Sequence, residues 1–308
     1  MSEKNDATRT AGRIALVGTA LIFAVLTAVQ TYLYLTGYEF ENDLYRPGAL
    51  PTVTAILWIA AAAGALLLNL RLPGKTVCSE FRVRSTVYTD FASLFGAAAL
   101  VGTVFLPLVL KNSGTDPLGN LLASTLVSDH TARIMLLLSL VLGIPAAAHF
   151  LLRFAKHRSY PQSACALLLW AGFSALRVYF DMRYLLTSPR RILHLMAMIA
   201  VMLFLIAELR LARGIATYRF YAVSESVTLV IAGCDAVTGL ILWAMGWISL
   251  GSEICTYLVL LAVALYAAAC MASPCTRPQK SVTPAPAVAT EAETVTADLA
   301  TDESEAAE

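Results

Sequence analysis

Eight apolar runs of about twenty residues each leave this chain few folds to adopt, because that is the length an α-helix needs to cross ~30 Å of hydrocarbon. The runs are Arg13–Gly37, Thr52–Leu70, Tyr88–Leu110, Thr131–Phe154, Pro161–Met182, Arg190–Leu211, Tyr221–Gly246 and Glu253–Ala272. Only 14% of the residues are charged and 58% are hydrophobic, whereas soluble domains carry ~25% charge. Short strands of alternating polarity, the signature of a membrane barrel, do not occur. The expected fold is all-α: an integral membrane bundle of about eight transmembrane helices.

The flanking charges orient it. With the N-terminus inside, the inner segments collect Lys4, Arg9 and Arg13, then Arg71, Lys75, Arg82 and Arg84, then Arg153, Lys156 and Arg158, then Arg210, Arg213 and Arg219, and last Arg277 and Lys280. The outer segments hold only Arg46, Lys111, Arg133, Arg183, Arg190 and Arg191. Positive charge favours the cytoplasmic side, so both termini are expected there. Residues 1–12 form a cytoplasmic arm, 13–272 the transmembrane domain, and 273–308 a cytoplasmic tail. That tail is acidic and rich in Ala, Pro, Thr and Glu, cannot bury enough apolar surface to fold, and is expected to be disordered. The first run is too long for the apolar region of a signal peptide and lacks a small-residue cleavage site, so it reads as a retained span.

Local signals place several element ends. Ser188-Pro189 reads as an N-cap followed by proline at N1, starting the sixth helix, with Gly214 as its stop. Asp116-Pro117 would start a short amphipathic helix on the outer surface. Tyr32, Tyr34, Tyr38 and Tyr45 sit where an outer aromatic belt is expected. Pro107 and Pro145 fall inside spans and are expected to kink them. The two halves show no self-similarity.

Several chemistries are disfavoured. The six cysteines lie at different depths and make no disulfide framework. His149 is near the inner end of its span and His194 near the outer end of another, so they cannot share one haem iron. No Cys/His spacing fits zinc, and no HExxH, phosphate loop, GxSxG or dinucleotide fingerprint occurs. No cofactor or metal is therefore expected, and without a basic cluster interleaved with aromatics neither is nucleic acid.

The informative charges lie inside the spans, where an ionisable residue costs about 2.5–3.5 kcal/mol and faces protein or water. Arg177 and Asp181 are one turn apart and share a helix face. Counting from the inner ends of their helices, Asp235 lies at the same depth as Arg177 and is expected to meet it across helices five and seven. Ser224, Thr228 and Asp235, with Gly239 nearby, fall on one side of the seventh helix. Arg191, His194 and Glu208 line one side of the sixth. Glu208 has no opposite charge one turn away, so its partner must come from another helix, with Arg153 or Lys156 as candidates. Glu208 and Glu225 are read as members of an intramembrane polar network.

Arg183, Arg190 and Arg191 place three arginines in an outer segment. The latter two flank a helix N-terminus that itself attracts anions. The candidate ligand-binding set is thus Arg177, Asp181, Arg183, Arg190, Arg191, His194 and Asp235. Three readings are open: a buried network fixing helix register, an outward-facing site for an anionic ligand, and a proton or ion path through Asp235, His194 and Glu208.

The stretch with Arg177 and Asp181, then Ser188 to Leu193 reading SPRRIL, then Glu208 to Arg210 reading ELR, resembles a group of bacterial polytopic membrane proteins. The resemblance covers about 34 residues of the 308. It implies membrane residence alone and carries no activity, substrate or cofactor with it; the expected location is a bacterial inner membrane. The functional expectation is a transporter-like or sensor-like module that binds a small anionic ligand or lipid headgroup from outside. A non-catalytic partner subunit of a larger membrane complex is the alternative. A membrane-embedded enzyme ranks third, since no nucleophile–base or metal set is visible.

Overall fold

The structure, a computed structural model, describes residues 2–39, 44–70, 86–111, 130–156, 160–180, 187–213, 218–247 and 252–272. The segment after Asp116, Gly214, the tail from Ser273, and Cys78, His157 and Cys275 lie outside these residues. Eight helices are described: α1 (Ser2–Gly37), α2 (Ala49–Leu70), α3 (Val87–Lys111), α4 (His130–Phe154), α5 (Tyr160–Phe180), α6 (Pro189–Ala212), α7 (Tyr218–Ala244) and α8 (Ser252–Ala272). All eight are long and apolar enough to cross a membrane, so by length and composition the described residues form an almost entirely helical, multi-pass membrane bundle.

The structure adds two local features to the sequence reading. The arm expected over 1–12 is helical from Ser2 onward. Glu3, Lys4, Ala7, Arg9 and Ala11 are good helix formers, and the end of an apolar run does not by itself end a helix. Between α1 and α2 the chain forms a minimal hairpin, β1 (Tyr38–Glu39) with β2 (Leu44–Tyr45), pairing Tyr38 with Tyr45. Arg46 closes it through its backbone N–H to the Gly37 carbonyl at 2.7 Å and its side chain to Glu39 at 3.2 Å. The outer aromatic belt is thereby corrected. Tyr32 faces out, but Tyr34 and Tyr38 are buried, and their rings pack edge to face at 5.0 Å with Tyr45 against both. The hairpin turns this cluster inward.

The packing has a centre. α8 borders α3, α7, α1 and α6, and 78% of its span is buried, against 22% for α2. Apart from Glu253 it carries no charge, and it is apolar on nearly every side, as a largely enclosed helix must be. Small residues let its neighbours close in. At Gly233 of α7 an added Cβ would sit 2.9 Å from the Phe23 ring of α1 and 3.4 Å from Ala264 of α8. α3, α4 and α5 run in sequence around the far side, with α5 packing on α6. The α1–α2 pair leans on α7, where Asn69 donates to the Ser226 hydroxyl at 2.8 Å and Thr19 donates to it at 3.5 Å. α4 runs through Pro145 as one helix.

The interior is therefore α6, α7 and α8. The polar centre expected between helices five, six and seven is displaced by one helix, because α5 is peripheral.

Candidate functional site

The N-terminus of α6 anchors one end of this core. Ser188 caps it, accepting from the Arg191 backbone N–H at 3.4 Å, and Pro189 occupies the first turn, as the sequence indicated. The Ser188 hydroxyl also lies 3.5 Å from the Tyr38 hydroxyl, which ties the hairpin to the start of α6. The two following arginines then diverge, as residues 100° apart on a helix must. Arg191 turns inward with 3% exposure, donates to the Tyr179 backbone carbonyl of α5, and lies over the Tyr179 ring. Arg190 is half-buried and reaches the Tyr257 hydroxyl of α8 from two of its nitrogens at 3.3 and 3.4 Å.

One turn further on, His194 meets Asp235 of α7. Nδ1 lies 2.7 Å from Oδ2, and the residues are 7% and 3% exposed. A carboxylate only accepts, so the imidazole proton belongs on Nδ1, which leaves Nε2 facing away from the pair. The Tyr257 ring packs edge to face on the imidazole at 5.4 Å. This approach depends on Gly239, where an added Cβ would fall 2.6 Å from the Tyr257 ring. α6, α7 and α8 thus each supply one part of the site: the basic turn, the carboxylate, and the tyrosine that joins them.

Asp235 takes His194 as its hydrogen-bond partner, not Arg177 as expected from depth. Depth alone could not separate the two, since both lie near the same end of the bundle. Azimuth decides it: α5 borders α4 and α6, while α6 packs directly on α7. Arg177 is half-buried on α5. Asp181 and Arg183 lie outside the described residues. Tyr257 was missed by the sequence reading. Its signal was available in its position one turn into a helix and in Gly239, which Tyr257 faces across the helix pair.

The second polar centre sits at the opposite end of the same helices. Glu208 of α6, fully buried, accepts from the Tyr266 hydroxyl of α8 at 2.7 Å through Oε1. The same oxygen is 3.9 Å from Nη1 of Arg153, which crosses from α4 and lies over the Tyr266 ring at 5.1 Å. Arg153 was one of the two cations expected for Glu208. Glu225 of α7 is 1% exposed, faces Tyr221 on its own helix, and lies close enough to Glu208 for their charges to interact. His149, one turn before Arg153, is turned instead to the Ser163 hydroxyl of α5 at 3.1 Å.

Among the described residues no group of three or more His, Cys, Asp or Glu side chains could hold a metal ion, and Cys165, Cys234, Cys255 and Cys270 are free thiols. Comparison with protein-family models, with curated proteins and with solved structures finds no match to this chain.

Proposed function

We propose that the protein is a ligand-binding membrane module, of transporter or sensor type, that holds a small anion or a lipid phosphate at the α6 N-terminus. The observation that carries this reading is the gathering of Arg190, Arg191 and His194 within the first turn and a half of a capped helix. The helix's own N–H groups lie at the same end, so positive potential gathers at that end of the bundle. Arg190 is the accessible member, and Arg191 and the His194–Asp235 pair hold the turn in place behind it. In this reading the site opens outward. Both termini are cytoplasmic, in keeping with the distribution of Lys and Arg, and the host membrane is a bacterial inner membrane.

The test is thermal unfolding of the full chain in uncharged detergent, with inorganic phosphate in one arm and an anionic phospholipid in the other. The wild type is expected to gain Tm in at least one arm, and the arm identifies the source of the anion. Arg190→Ala is expected to fold and to lose that gain. An equal gain in the wild type and Arg190→Ala, or none in either arm for the wild type, contradicts the proposal.

A further inference from the structure

The opposite end of the core poses a different problem, one of charge balance. Among the described residues, the titratable groups facing Glu208 and Glu225 are Arg153 from α4, Tyr221 from α7, and Tyr266 and Cys270 from α8. Arg153 brings one positive charge to two carboxyl groups. Both are sealed, with 0% and 1% of their surface exposed. Oε2 of Glu208 and Oε1 of Glu225 have no hydrogen-bond donor.

A buried carboxylate oxygen with no donor is costly, and a buried ion without a counter-charge costs several kcal/mol. Glu208 is compensated on its other oxygen by Arg153 and the Tyr266 hydroxyl. Glu225 has only the phenol of Tyr221 and a second acid facing it. Among the described residues a second positive charge is therefore missing, and each of the two acids keeps one bare carboxyl oxygen.

We infer that the Glu208–Glu225 pair is a binding site for one monovalent cation, a proton or an alkali-metal ion, buried between α6, α7 and α8. As a proton it sits on a carboxyl oxygen, with the net charge of the pair and Arg153 brought to zero. As an alkali ion it takes the two bare carboxylate oxygens as ligands, again with zero net charge. Either way the site is filled in the resting protein and is independent of the anion site at the other end.

The experiment is infrared spectroscopy and thermal unfolding of the full chain in lipid nanodiscs at neutral pH. Sodium chloride, potassium chloride and choline chloride are compared, and Glu225→Gln serves as the variant. A proton is indicated by the carbonyl band of a protonated carboxyl group in wild type in choline chloride, with no effect of sodium or potassium on Tm. An alkali ion is indicated by absence of that band and a Tm higher in sodium or potassium than in choline. In both cases Glu225→Gln is expected to fold, because a neutral amide needs no counter-charge, and to lose the band or the salt-specific shift. The inference is overturned if wild type shows neither signal, if the signal persists unchanged in Glu225→Gln, or if that variant fails to fold.

Discussion

The two ends of the α6–α7 pair handle buried charge in opposite ways. At the α6 N-terminus an acid meets a histidine at 2.7 Å, two arginines stand beside them, and the His194 side chain keeps 9% of its surface open. Fourteen residues along α6, about 21 Å at the helical rise, Glu208 keeps none, and its single cation stands 3.9 Å away. In the proposed reading, the first end exchanges partners with something arriving from solution or from the headgroup layer through Arg190. At the second, whatever completes the charge must already be inside when the helices close. Arg191, His194 and Asp235 are buried as well, so what distinguishes the first end is that each charge has a partner there and that Arg190 is only half-buried.

The contrast is sharpest in what a deletion would cost. Removing one partner of a sealed pair strands the other, a loss of about 3–5 kcal/mol. Arg153→Ala is therefore expected to lower the unfolding free energy of the full chain in mild detergent by about that amount, the largest effect among these tests. A loss under about 1 kcal/mol, the value of an exposed pair, would mean that this end is wetter than described and would erase the contrast.

A smaller effect belongs to the hairpin over the first end. The Tyr45 hydroxyl accepts from Gln30 at 2.8 Å, and burial holds its phenol above the ordinary value of 10, with the Gln30 bond opposing the shift. A raised value in the folded state means that the neutral phenol stabilises fully below the unfolded value. That contribution is lost as pH rises through the folded one. Tyr45→Phe is expected to cost about 1 kcal/mol at neutral pH and to remove part of the alkaline loss of stability. An alkaline limb identical in wild type and Tyr45→Phe would show the hairpin to be loosely seated and the first end more open.

Much of this arrangement could be read from residue order. The eight spans follow from apolar run length, the start of α6 from Ser188-Pro189, and an inter-helix cation for Glu208, Arg153 or Lys156, from the lack of an opposite charge one turn away. What failed was azimuth. Counting residues gives depth along a helix but not which neighbour a side chain faces, so Arg177 and His194 were equally eligible for Asp235. The central place of α8 was hidden for a related reason. Charge marks α6 and α7, whereas α8 contributes Tyr257, Tyr266 and a run of alanines. Tyr34 and Tyr38 were read as a lipid-facing belt because the hairpin that turns them inward is only two residues per strand, too short to leave a periodic signal.

The claim on which the whole arrangement depends is that His194 and Asp235 bind one another inside the α6–α7 contact. A double-mutant cycle on reversible unfolding of the full chain, with His194→Gln, Asp235→Asn and the pair combined, measures that contact directly. The account predicts a coupling energy of about 1–3 kcal/mol, the range for residues in direct contact. Additive losses, with a coupling within ~0.5 kcal/mol of zero, would contradict it.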